Sequence, residues 1–111
     1  MSKLIKDERA LEEVMKSPDG VFVLFYASWC PFSQRFLPVY EKNARGKEKE
    51  FVRFLVDDNE DVCDRHDIEV YPTVLFFKNG KVANRLDGGY HIGLSERDLA
   101  GLMEACGVEK G

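Results

Sequence analysis

Seven consecutive residues, Val21-Phe22-Val23-Leu24-Phe25-Tyr26-Ala27, carry no charge and run directly into Ser28-Trp29-Cys30-Pro31. A run this short and this rich in β-branched and aromatic side chains reads as a strand covered on both faces, in the middle of a sheet. Behind it Phe32, Phe36, Val39 and Tyr40 recur at helical spacing, so a helix starts at Cys30 or Pro31. A doubly covered strand that passes straight into a helix calls for a sheet with helices on both faces, and it puts Cys30 at the junction. Pro38 lies inside the helix and should kink it, because its ring donates no backbone hydrogen bond and crowds the turn before it.

The remaining elements are set by local signals. Lys3-Leu4-Ile5 and a helix capped near Asp7, with Ala10, Leu11, Val14 and Met15 on one face, form a first unit that Ser17-Pro18-Asp19-Gly20 ends. Asn43 to Glu50 reads as a charged loop, Phe51 to Val56 as a strand closed by Asp57-Asp58-Asn59, and Glu60 to His66 as a short helix. Tyr71-Pro72-Thr73-Val74-Leu75-Phe76-Phe77-Lys78 reads as a strand that begins at a proline, and Asn79-Gly80 as the turn of a hairpin with Lys81 to Leu86. Asp87-Gly88-Gly89-Tyr90-His91 is a turn-rich break. Ser95-Glu96-Arg97-Asp98 has the form of a capping box that opens a last helix, with Leu99, Leu102, Met103 and Cys106 on one face and Gly107 as its stop. After the first unit the order is βαβαββα, an alternation that implies a mixed sheet between helices in a single domain of 111 residues.

Bulk properties exclude several classes of function. The chain is 44% hydrophobic and 32% charged, which is ordinary for a globular domain, and its net charge of −4 carries no basic footprint for nucleic acid or anionic lipid. The first residues lack the apolar run of a signal peptide, and the longest apolar stretch is far below a membrane span, so a cytoplasmic protein is expected. Cys30, Cys63 and Cys106 are odd in number and lack paired spacing, which argues for reduced thiols over a disulfide framework or a zinc site.

Cys30 is the residue best placed for chemistry. A helix start presents unpaired N–H groups and a partial positive charge, which favour the thiolate, the nucleophilic form of cysteine. Trp29 before it and Pro31 after it suit a rigid, partly exposed rim. Cys106 and Cys63 read instead as small apolar fillers, on the stripe of the last helix and beside Val62. His66 near Cys63 does not make a metal site, and His91 falls in a surface loop. Asp57-Asp58 and Glu60-Asp61 read as a solvated turn and helix start.

The string Val23-Leu24-Phe25-Tyr26-Ala27-Ser28-Trp29-Cys30-Pro31-Phe32-Ser33 resembles the thioredoxin family. So do Pro38, Val56-Asp57, Tyr71-Pro72-Thr73, Phe76-Phe77-Lys78-Asn79-Gly80 and Gly88-Gly89, in that order. The resemblance spans about residues 5 to 106. It implies the α/β thioredoxin fold, a central mixed sheet flanked by helices on both faces, with Cys30 as nucleophile and a cis peptide between Tyr71 and Pro72 beside it. It also implies that the backbone at Tyr71 pairs with an extended substrate peptide, a small-scale strand addition.

Two departures from the family's dithiol pattern agree with each other. Ser33 stands where the second cysteine of Cys-x-x-Cys would be, and Leu24 where many relatives carry the buried carboxylate that serves that cysteine. With no resolving thiol, a trapped substrate must await an outside thiol such as glutathione. The expected function is therefore a monothiol thiol–disulfide oxidoreductase. Cys30 and Ser33 would be its catalytic pair, with Ser33 bonded to the thiolate, and Trp29, Pro31, Tyr71 and Pro72 would shape the substrate groove. Its partners would be protein thiols or disulfides, or glutathione. The chain is expected to act as a monomer, with no metal or cofactor. The alternative, from another class, is a binding module that keeps the fold and groove without using the sulfur. The active-site string is also similar to that of monothiol glutaredoxins, which share an iron–sulfur cluster between subunits. Trp29 and the long N-terminal segment side with thioredoxin.

Overall fold

Strand β2 (Val21–Tyr26) is the centre of the sheet, as its composition requires, and all of its residues are buried. The computed structural model describes residues 1–108. Around β2 the chain runs β1 (Lys3–Ile5), α1 (Glu8–Met15), β2, α2 (Pro31–Ala44), β3 (Phe51–Leu55), α3 (Glu60–Arg65), β4 (Thr73–Lys78), β5 (Lys81–Leu86) and α4 (Glu96–Ala105). The strand order is β1-β3-β2-β4-β5. The first three strands are parallel, and β4 and β5 are each antiparallel to the neighbour before them in that order.

Alternation along β2 sends its side chains into two cores. Val21, Val23 and Phe25 join Leu11 of α1, Val62 and Cys63 of α3, and Phe54. Phe22, Leu24 and Tyr26 join Phe36, Tyr40 and Ala44 of α2, and Leu99, Leu102 and Met103 of α4. Cys63 thus fills space in the first core, as its sequence context suggests, and half-buried Cys106 packs against the second.

The local punctuation acts through hydrogen bonds. The Asp7 carboxylate accepts from the Ala10 amide at 2.8 Å and caps α1. Ser95 and Asp98 exchange side-chain and backbone bonds at 3.2 and 2.9 Å to open α4. Asn79 and Gly80 both take positive φ, at 55° and 83°, the left-handed pair that a tight hairpin turn needs. Their amides also donate to the Ser17 and Met15 carbonyls, which docks the hairpin onto the end of α1.

The structure moves several boundaries. Helix α2 runs through Pro38 as one element and takes in Asn43 and Ala44, read from sequence as loop. Both residues are buried, and Asn43 Nδ2 donates to the Val39 carbonyl at 2.9 Å, so tertiary packing extends the helix beyond its local signal. Strand β4 begins at Thr73 instead of Tyr71, because the Tyr71–Pro72 peptide is cis and lies outside the ladder. Strands β2 and β3 and helix α3 each stop one residue short of the sequence expectation.

The His66 ring lies between Phe25 and Phe77, at 6.1 and 5.5 Å between centroids, and burial pushes its pKa below the ordinary value. The folded chain therefore binds that proton less readily than the unfolded chain. This contribution to stability is complete above the unfolded value of about 6.5, and it is lost as the pH falls from there towards the lower folded value. Thermal melts of the wild type and of His66→Gln across that range check this: the acid-side decline in melting temperature should be shallower in the variant. Equal slopes would mean that His66 does not contribute.

Candidate functional site

The site forms where β2 ends and α2 begins. Cys30 is the N-cap of α2, with φ −94° and ψ 119°, and no side chain caps the helix there. Its carbonyl accepts the first helical bond from the Gln34 amide at 3.0 Å, and Pro31 fills the first helical position, where no N–H is required. The free N–H groups of this first turn, and the partial charge of a fourteen-residue helix, face the cap position.

Opposite the sulfur lies the turn before β4. Cys30 Sγ is 3.7 Å from the Tyr71 carbonyl oxygen, to which it can donate. Two contacts hold this turn from behind. The Thr73 hydroxyl donates to the Val70 carbonyl at 2.7 Å and accepts from the Gly88 amide at 3.3 Å. A Cβ at Gly88 would stand 2.3 Å from the Pro72 carbonyl oxygen, so only glycine allows the two backbones this close. Gly93, at φ 79°, closes the Gly89–Gly93 turn against the Phe32 side chain, on the flank of α2 next to Cys30.

The rim is apolar. Trp29 is 65% exposed and stands edge-on to the Tyr71 ring, 5.9 Å between centroids at 86°. Pro31 is also exposed. Cys30 itself is only 7% exposed, which corrects the expectation of a partly exposed residue. Exposure belongs to its two neighbours, while the cysteine packs with the first core and against the Tyr71 backbone.

Ser33 is fully buried, and its hydroxyl accepts from the Ala27 amide at 3.2 Å. Among the described residues the hydrogen-bond partner of the Cys30 sulfur is the Tyr71 carbonyl, not Ser33, because the serine turns towards the end of β2. Leu24 is buried in the second core, among apolar residues. Tyr71 reaches inward as well as outward. Its ring packs against the first core, and burial first, then the neighbouring Cys63 side chain, pushes the phenol well above its usual range. Burial likewise pushes the Cys63 thiol up.

Asp57, read from sequence as part of a solvated turn, is a member of the site. Its Oδ1 accepts from the Ser28 amide at 3.0 Å and its Oδ2 from the Ser28 hydroxyl. Those two donors, the hydroxyl first, hold the Asp57 carboxyl below its ordinary range. Strand register carries the signal that locates it: Tyr26 pairs with Leu55 in the parallel β2–β3 ladder, so the residues two beyond each, Ser28 and Asp57, emerge side by side. His91 and Tyr90 lie in the exposed Gly89–Gly93 turn, ring against ring at 4.5 Å. Among the described residues no group of three or more His, Cys, Asp or Glu side chains could hold a metal ion, and no helix is long and apolar enough to cross a membrane.

Comparison with known proteins agrees with this geometry. The family model Thioredoxin matches residues 2–99. The thioredoxin of Mycoplasmoides gallisepticum is 32% identical over 87 residues, covering 78% of this chain and 87% of that protein. Endoplasmic reticulum resident protein 44 of Mus musculus is also 32% identical over 87 residues, covering 71% of this chain but 21% of its own, so the chain spans about a fifth of that relative. Among solved structures, Plasmodium falciparum thioredoxin superposes with a TM-score of 0.76 at 26% identity, covering 93% of this chain and 97% of that one. The thioredoxin of Malassezia sympodialis, at 23% identity and 95% and 90% coverage, shares the fold with a TM-score of 0.79. The match over nearly the whole length, with a cysteine at the start of the helix that succeeds the central strand, shows that this chain belongs to the thioredoxin family.

Proposed function

We propose that the chain is a thiol–disulfide oxidoreductase of monothiol type, acting through mixed disulfides at Cys30. One observation carries the reading: a cysteine holds the N-cap position of α2, its sulfur 3.7 Å from the Tyr71 carbonyl, and the position one helical turn on is a buried serine. The thioredoxin relatives support oxidoreductase-like chemistry on protein disulfides.

The Cys30 thiolate attacks one sulfur of a client or glutathione disulfide. A new S–S bond forms as the old one breaks, and the departing thiolate takes up a proton. Trp29, Pro31, Tyr71 and Pro72 line the approach, and the Tyr71 backbone pairs with the extended client. Ser33 cannot attack the mixed disulfide, so an outside thiol such as glutathione does, and Cys30 leaves as thiolate. Ser33 serves the site by tying α2 to the end of β2 through the Ala27 amide. A monomer in the cytoplasm, where glutathione is the abundant thiol, belongs to the same reading.

A second reading has one observation in its favour, the 7% exposure of Cys30: a partner-binding module that uses the groove and not the sulfur. Ser33→Cys separates the two. If Cys30 reacts, the new thiol closes a disulfide with it, and the lifetime of a mixed disulfide with a model peptide falls at least about tenfold, because an intramolecular thiol outcompetes a dissolved one. Lifetimes read by quenched gel shift check this. No mixed disulfide in either protein would reject the thiol chemistry and leave the binding module.

A further inference from the structure

We propose that Asp57 is a positioning residue of the site, fixing the Trp29–Cys30 segment through Ser28. The kinetic half of this inference rests on the monothiol reading above. The structural half does not.

Ser28 is exposed, so packing does not hold it. Instead each of its polar groups is tied to a neighbouring element. The amide and the hydroxyl both donate to Asp57, one to each carboxylate oxygen, and the carbonyl accepts from Gln34 Nε2 at 2.8 Å. Asp57 lies just past β3 and Gln34 lies in α2, so Ser28 is clamped between the sheet end and the helix that starts at Cys30.

The clamp matters because Ser28 leads directly into Trp29 and Cys30. Trp29 is mostly exposed, and its aromatic ring contact among the described residues is edge-on to Tyr71, so the backbone that leads into it has a large share in setting its direction. Cys30 comes next, its sulfur directed at the Tyr71 carbonyl. A carboxylate fits this task better than a neutral acceptor, since it takes two donors at once and its bonds are charge-assisted. An aspartate is ionised at neutral pH, and the two Ser28 donors favour that form further.

A purely structural role for Asp57 would lower the melting temperature and leave the rim as it is. The chain has a single tryptophan, so the fluorescence of Trp29 reports the rim alone. The test compares the wild type, Asp57→Ala and Asp57→Asn by Trp29 emission and acrylamide quenching. It also compares rates of mixed-disulfide formation with a tryptophan-free disulfide peptide, at a temperature where melting curves show each protein folded. Asp57→Ala should shift the Trp29 emission, alter its quenching and slow the reaction about tenfold. Asp57→Asn, whose amide oxygen still accepts from the Ser28 backbone, should recover part of each change. Wild-type emission and rate in a folded Asp57→Ala would overturn the proposal, and so would a lowered melting temperature with Trp29 emission unmoved. Should Asp57→Ala fail to fold, Asp57→Asn decides alone, and wild-type behaviour in it overturns the proposal. If the wild type itself forms no mixed disulfide, the thiol reading has failed, and the emission comparison still decides the role of Asp57.

Discussion

Replacing Cys30 with alanine should reduce mixed-disulfide formation on the order of a thousandfold, to the background set by the other two cysteines. The reason is chemical: the reaction makes a bond to sulfur, and no neighbouring side chain can stand in. Ser33 offers a hydroxyl that is buried and engaged with the Ala27 amide. Cys63 is almost fully buried, and burial raises its thiol pKa, as it does that of half-buried Cys106, so both are poor thiolates at neutral pH. The substitution removes one small side chain and no structural hydrogen bond beyond the contact to Tyr71, so the melting temperature should move little. Incubation with a disulfide-bonded peptide, quenching and gel analysis give the rates. A Cys30→Ala variant that retains more than a tenth of the wild-type rate would move the chemistry to another residue.

The largest effect on stability is expected at Phe22. It sits in the central strand, fully buried, with its ring 4.7 Å from that of Phe51 and 4.6 Å from that of Phe76. Around it the backbones of β2, β3 and β4 are locked in register, so the space left by truncation cannot collapse. Phe22→Ala should therefore cost about 3–5 kcal/mol, in the range for a buried phenylalanine whose cavity stays open. At ~4 °C or more per kcal/mol for a domain of this size, the melting temperature falls by ~12–20 °C. Phe22→Leu, which keeps most of the volume, should lose well under half of that. Chemical denaturation of the three proteins measures the differences. An alanine variant within 1 kcal/mol of the wild type, taking roughly 1 kcal/mol as an ordinary single-site effect, would mean that β2 is not the packed centre of the sheet.

Both expectations depend on features that differ in how plainly the sequence displays them. The unbroken run of β2, the Asn79-Gly80 turn and the Ser95–Asp98 box are local, because each is a matter of which residue types adjoin one another, and each acts in the structure as its chemistry suggests. Cys30 was legible for the same reason, since a cysteine at a strand-to-helix junction needs no distant partner to be noticed. Features that depend on distant parts of the chain were not legible. Val56-Asp57 belongs to the family resemblance, but the pairing of Asp57 with Ser28 shows only once the parallel register of β2 and β3 brings the two together. Asn43 and Ala44 look like loop until α2 is packed on the sheet. The recessed setting of Cys30 depends on the approach of the Tyr71 carbonyl, 41 residues away along the chain. The orientation of Ser33 towards Ala27 and away from the sulfur is likewise a matter of how α2 sits on the end of β2.

The central claim, that Cys30 exchanges bonds with other sulfurs, is tested most directly by treating the folded, reduced protein with oxidised glutathione and locating the adduct by peptide mapping. The account predicts one glutathione per chain, on Cys30, held until an outside thiol is added. Unmodified Cys30 in a folded protein, or an adduct confined to Cys106, would contradict it.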